Sequence, residues 1–175
     1  DLENQLYLDA VIQNGREEHE SRALVELVDR FRLKEPVIMI ADRGYEAYNN
    51  IAHIEQKNWN YLIRAKEKRG ILSGLKLPDT PEFDVAFSYF LSKRLTNRIR
   101  REPQKYRWIP SKVRFDYIKN ASDALYPISF RVVRFAVKDG LYETVITNLP
   151  ADRFPPPLLR VLYHKRWGIE TSFRD

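Results

Sequence analysis

Two carboxylates stand where a chain would put them to do chemistry. Asp42 ends the unbroken apolar run Val37-Ile38-Met39-Ile40-Ala41 and is followed at once by Arg43, Gly44 and Tyr45. Glu170 lies in the C-terminal stretch LLRVLYHKRWGIETSFRD, where Tyr163, Arg166 and Glu170 recur at i, i+3 and i+7. At roughly 100° per residue this spacing keeps all three within about 60° of one helix face. An acid, a guanidinium and a phenol on one face can offer a single substrate a carboxylate, a phosphate clamp and a hydroxyl. Ordinary structural roles fit the same residues. An Asp at a strand end suits a helix N-cap, and Arg166 with Glu170 suits an i,i+4 ion pair worth roughly 0.2–0.5 kcal/mol.

Both groups need elements to hold them. Gln5 to Gln13 reads as a strand closed by the turn signal Asn14-Gly15, and Glu17 to Arg32 as a helix with acids in its first turn and Ala23, Leu24, Leu27, Val28 and Phe31 on one face. Val37 to Ala41 is the apolar run of a strand covered on both sides, Glu46 to Lys57 a second helix, and Asn60 to Ala65 another strand. Alternation of this kind predicts an α/β layer with crossover connections. From Lys66 to Asn148 the pattern becomes β-like, with runs at Phe83–Tyr89, Val113–Ile118, Ile128–Val137 and Leu141–Thr147 broken by prolines, as in an antiparallel insertion. A proline-rich boundary then leads into a terminal helix over Leu158 to Asp175, with Pro157 near its start and Leu158, Leu162, Ile169 and Phe173 as its apolar stripe. The expected organisation is residues 1–65 as core, 66–148 as β-rich insertion and 149–175 as the helix that returns to the core. In an open α/β sheet ligands collect beyond the carboxyl ends of the strands, where Asp42 would sit.

Composition narrows the chemistry. The chain has 175 residues, 43% of them hydrophobic, enough for one domain with a core. It has no cysteine, and its three histidines, His19, His53 and His164, are far apart, so any metal would be held by oxygen. No run reaches the roughly 18 apolar residues of a membrane span and the first residues lack a signal-peptide pattern, which predicts a cytoplasmic protein with no membrane partner. Net charge is +6, and between Ser92 and Phe115 nine basic residues face the single acid Glu102. That excess, which includes Arg98, Arg100 and Arg101, suits a phosphate backbone. Trp108 lies inside it. Arg64 and Lys66, just beyond the strand NYLI, are further candidates for phosphate contact.

The phrase DRGY at 42–45, TNLP at 147–150 and the Tyr163-x2-Arg166-x3-Glu170 spacing together resemble the catalytic domain of the IS4-family DDE transposases. The similarity runs in order through YLDAVIQNG, ADRGY, LIRAK, the β-rich segment, YETVITNLP and LYHKRWGIETSFRD. It implies a ribonuclease H-like mixed sheet, incomplete at its N-terminal edge, with a β-rich insertion before the last catalytic helix. It also implies that Asp42 and Glu170 are the second and third catalytic acids and hold metal. Two Mg²⁺ or Mn²⁺ ions roughly 3.5–4 Å apart would activate the attacking oxygen and stabilise the leaving one. Tyr163, Arg166, Arg43, Arg64, Arg98, Arg100, Arg101 and Trp108 would contact double-stranded DNA. For Trp108 the resemblance implies stacking on a base displaced from the DNA end; the plain reading is an edge aromatic.

In that family the first acid lies on an earlier strand, in a context that neither Asp1 nor Asp9 matches, and the signature's final lysine would fall past Asp175. The expectation is therefore a portion of the catalytic core, inactive alone, whose open strand edges favour a homo-oligomer. Metal-dependent DNA cleavage and strand transfer at transposon ends is the leading function. A DNA-binding remnant without chemistry, and a ribonuclease H-like nuclease acting on another substrate, are the alternatives.

Overall fold

In the computed structural model, which describes residues 1–4, 6, 8–13, 20–32, 35–67 and 69–166, the apolar run before Asp42 forms β1 (Ile38–Ala41). It pairs in parallel with β2 (Asn60–Arg64) through the helix α2 (Tyr48–Gln56). The later strands β3 (Phe83–Ser92), β4 (Tyr106–Trp108), β5 (Leu125–Lys138) and β6 (Leu141–Thr147) join the same sheet, in the order β1-β2-β6-β5-β3-β4. Only β1/β2 and β3/β4 are parallel; the other pairs are antiparallel. The segment expected as an insertion thus continues the core sheet, with β6 against β2.

Period-two alternation assigns the two faces. Tyr61, Ile63, Val132 and Ile146 point towards α1 (Glu20–Arg30) and α2, where they meet Leu24, Val28, Ile51 and Ile54. Their neighbours Leu62, Val133 and Val145 point the other way and are covered by Leu159 and Tyr163 of α4 (Pro156–His164). Helices therefore cover both faces. The buried stripe of α4 is Leu159 and Tyr163; Leu158, predicted to be buried, is exposed. The helix starts at Pro156, two residues before the predicted start, because proline suits the first turn, where no intrahelical N–H bond is lost. Residues 167–175 lie outside the described part, and with them Glu170, Ile169 and Phe173.

The N-terminal segment corrects the sequence reading. Leu6 and residues 8–13 form no strand. The Arg30 side chain, at the C-terminal end of α1, donates to both oxygens of Asp9 and to the Ala10 carbonyl, and holds this stretch beside the helix instead. Lys165 pairs with Glu3 and ties the segment to α4 as well.

Val113 to Ile118 alternates as a strand would and is none. Phe115 and Ile118 are buried, which accounts for the alternation. Its backbone, however, meets side chains and a local turn rather than a strand: Asn49 accepts from the Asp116 N–H at 2.8 Å, the Lys93 ammonium donates to the Val113 carbonyl, and the Val113 N–H donates to the Pro110 carbonyl at 2.9 Å. The Asp116 carboxylate faces His53 at 2.9 Å, and the other ring nitrogen of His53 faces Asp29 at 2.8 Å. Partial burial pushes Asp116 up, but hydrogen bonds from Arg114, Asn49 and His53 outweigh it and hold the carboxyl well below the ordinary range. This loop is latched to α1 and α2.

Pro127 lies inside β5, a position read as a break. It pairs with Phe90, whose N–H points to the Lys105 carbonyl just before β4, so the pair is not hydrogen-bonded and the missing proline N–H faces away from β3. On that other side β6 pairs only from Arg131 onwards, so no ladder bond is lost. The basic run itself contains the short helix α3 (Asn97–Arg101), capped by the Thr96 hydroxyl, and the edge strand β4. Among the described residues no helix is long and apolar enough to cross a membrane.

Candidate active site

Asp42 leaves β1 in extended conformation, and the chain turns at once into a single 3-10 turn over Arg43–Tyr45 in which the Tyr45 N–H donates to the Asp42 carbonyl at 3.0 Å. Its side chain makes no capping bond and is 40% exposed, so the N-cap role is not taken. The carboxylate stands clear of its own backbone. A Cβ on Gly44 would meet only the carboxylate end of the exposed Glu20 side chain at the start of α1. Asn50 secures the turn from α2 by donating to the Tyr45 carbonyl at 2.8 Å, and Ser21 donates to Asn50 at 2.7 Å.

Two elements converge on Asp42. From α4, the Tyr163 hydroxyl donates to the Asp42 carboxylate at 3.5 Å, although Tyr163 is otherwise buried. Burial, with Asp42 and Glu143 nearby, pushes the Tyr163 phenol up to about 12 against the opposing charge of Arg166, so the proton stays on this oxygen near neutrality. The Arg166 guanidinium lies over the Tyr163 ring, 5.5 Å from its centre. From β2, Arg64 reaches Asp42 at 3.9 Å and, with its other terminal nitrogen, Glu143 of β6 at 3.6 Å.

Two adjoining clefts open here. One of about 330 Å³ is lined by Glu20, Asp42, Arg43, Gly44, Tyr45 and Lys66. The next, of about 430 Å³, shares Arg43 and Lys66 with it and adds Arg64, Arg69 and Glu143. The loop carrying Lys66 and Arg69 is held by Glu46, a buried carboxylate that accepts from the Lys66 N–H at 2.5 Å and the Ile71 N–H at 2.6 Å. Arg43, Arg64, Lys66 and Arg69 around one concavity suit phosphate oxygens. The half-exposed carboxylate of Asp42 is a hard oxygen donor of the kind Mg²⁺ takes, and the donor chemistry therefore fits a divalent cation. Among the described residues no three His, Asp or Glu side chains are grouped to hold a metal by themselves.

Sequence pattern had singled out Asp42, Arg43, Arg64, Tyr163 and Arg166, and the fold brings these together. Arg98, Arg100, Arg101 and Trp108 stand elsewhere. Trp108, 45% exposed, is on the edge strand β4, five strand spacings from β1, or about 24 Å. It is also at the opposite end of the sheet. Arg64 is level with Val145 and Val133, whereas Trp108 is level with Ser92 and Leu125, eight residues earlier on β5 and about 27 Å along it. Arg98, exposed on α3, pairs with Glu102 at 3.6 Å and lies over the Tyr106 ring; Arg100 and Arg101 are also exposed.

Arg131 carried no signal in the sequence, and TNLP only that of the resemblance. Arg131, buried in β5, clamps both oxygens of Asp84 and donates to the Leu149 and Phe154 carbonyls, so it sets the approach into α4. In TNLP, the Asn148 side chain accepts from the Tyr61 N–H at 2.9 Å and Thr147 donates to the Tyr61 carbonyl at 2.6 Å, splicing the end of β6 to β2.

The family described as Transposase DDE domain matches the chain over residues 1–175. No curated protein matches it.

Proposed function

Because the chain belongs to the family of transposase DDE domains, we propose that it is the IS4-type catalytic portion of such an enzyme, performing metal-dependent DNA strand cleavage and strand transfer at transposon ends. The observation that carries this reading is the convergence on Asp42. A carboxylate ending a buried strand meets a buried tyrosine hydroxyl from α4 and an arginine from β2, beside a basic concavity. Asp42 and Glu170 would hold the divalent ions, Mg²⁺ or Mn²⁺. When bound, these ions supply charge neutralisation at the phosphoryl oxygens and an activated oxygen nucleophile.

The chain's own residues do the rest. Tyr163 keeps its proton and donates it in a hydrogen bond, to Asp42 here or to a phosphate oxygen of the DNA. Arg43, Lys66 and Arg69 orient the phosphodiester by charge in the cleft. Arg64 and Arg166 flank Asp42 and Tyr163 and offset the negative charge that gathers as phosphate enters. Trp108, about 24 Å across and 27 Å along the sheet from the site, and Arg98, Arg100 and Arg101 on the nearby α3 belong to a second contact on the same duplex: at roughly 3.4 Å per base pair the combined separation spans about one helical turn. Trp108 there stacks on a base away from the reacting phosphate.

Calorimetric titration with Mn²⁺ tests the core of the proposal. Binding to the unmodified chain that is lost in both Asp42→Ala and Glu170→Ala is the expected result. Binding indifferent to both substitutions sinks the assignment and leaves the protein as a DNA-binding remnant.

A further inference from the structure

Arg64 sits between two carboxylates and is bonded closely to neither. Its two terminal nitrogens are 3.9 Å from Asp42 and 3.6 Å from Glu143, both beyond the usual 2.7–2.9 Å of a charge-assisted bond. Alone with Asp42, the same guanidinium would close to a bidentate pair and occupy both carboxylate oxygens, the same lone pairs that a divalent ion needs.

Glu143 is built to prevent this. Its side chain is only 13% exposed, against 32% for Arg64 and 40% for Asp42. It projects from β6 opposite Phe135 of β5, two residues before Val145, the partner of Arg64, and the next residue accepts from the Ala65 N–H at 2.8 Å. Its backbone is therefore fixed at the point where β2 delivers Arg64. Two-residue alternation puts Glu143 and Val145 on the face that also carries Leu62 and Arg64, the face covered by α4. Across the site the charges read Asp42 negative, Arg64 positive, Glu143 negative. The more buried carboxylate is the stronger competitor for the shared cation, because solvent screens it less.

We propose that Glu143 is a positioning residue: it holds the Arg64 guanidinium off Asp42 and so keeps that carboxylate open to a divalent ion. The proposal rests on the reading of Asp42 as a metal ligand, and two measurements separate the two. The first needs no metal. A crystal structure of Glu143→Gln should show Arg64 closed on Asp42 within hydrogen-bond distance. Arg64 left in place, or turned to solvent, overturns the proposal.

The second is Mn²⁺ affinity in a double-mutant cycle. Glu143→Gln should weaken Mn²⁺ binding roughly three- to tenfold, the effect of tightening one partly exposed ion pair by about 1 Å. In an Arg64→Met background the same substitution should cost distinctly less. An equal loss in both backgrounds means that Glu143 acts on the ion directly, and the positioning role falls. A chain that binds no Mn²⁺ in any form refutes Asp42 as a ligand, while the Arg64 distance still decides whether Glu143 restrains the guanidinium.

Discussion

Glu46 offers a sharp test of how the site is assembled. It is 6% exposed, and its two oxygens accept separately from the Lys66 and Ile71 N–H groups. It also lies against Gly70, whose φ of +61° and close approach leave no room for a side chain. In Glu46→Gln one oxygen is kept and the other becomes an NH₂ facing a backbone N–H, donor against donor. The lost charge-assisted bond and the stranded N–H together cost about 3–4 kcal/mol. Burial, the dominant influence on Glu46, pushes its carboxyl up, so the neutral amide recovers part of that cost. The net destabilisation is about 2–3 kcal/mol. Urea unfolding followed by fluorescence should then show a midpoint lowered by about 1 M at unchanged slope. Because the loop it holds carries Lys66 and Arg69, affinity for a short DNA duplex should fall even where the variant is fully folded. A shift below about 0.5 kcal/mol with normal DNA affinity refutes the claim that this carboxylate organises the cleft.

Glu55, whose side chain accepts from the Tyr61 hydroxyl at 3.3 Å, is pushed by burial from 4.5 up to about 7. A carboxyl raised in the fold favours the folded state fully below its unfolded value, and that contribution is lost as pH rises through the folded one. At about 1.36 kcal/mol per unit the ceiling is about 3 kcal/mol, and partial exposure reduces it to about 1–2. Glu55→Gln should therefore remove the decline in melting temperature between about pH 5 and pH 8; parallel declines in both proteins contradict the assignment. Replacing the exposed Arg98, Arg100 and Arg101 together by Ala should leave thermal stability unchanged and reduce the slope of log affinity against log salt for duplex DNA by about 0.9 for each phosphate contact removed. An unchanged slope places the DNA track elsewhere.

How far these features were legible from sequence depends on the range of the interactions behind them. Asp42 was legible because five apolar residues followed by Asp-Arg-Gly describe a buried strand end and a tight turn within eight positions. Tyr163 and Arg166 were legible because three positions separate them, although α4 ends at His164 rather than running on through Arg166 as the spacing predicts, and a turn in which the Arg166 N–H donates to the Tyr163 carbonyl at 3.1 Å holds them together instead. Glu143 was not, since an acid alternating with apolar residues on a strand looks like any solvent-facing position until its partner on β2 is known. Residues 113–118 misled in the opposite sense: alternation reports which side chains are buried, whereas a strand also requires a neighbour for its backbone, and here Asn49 and Lys93 take that role. Pro127 was read as a break because the unpaired side of β5 at that level is not visible locally.

Chemistry type and local frame, then, were written in short-range pattern: an acid on a strand end, a tyrosine at the end of α4 with an arginine three positions on in the turn that follows, and a stretch of excess positive charge. Distances between them were not. Register and strand order, set by pairings between strands distant in sequence that no local rule specifies, put Arg64 between Asp42 and Glu143 and carried Trp108 to the far corner of the sheet. Side-chain type determines what a residue is able to do, whereas burial and pairing with distant strands determine which residues do it together.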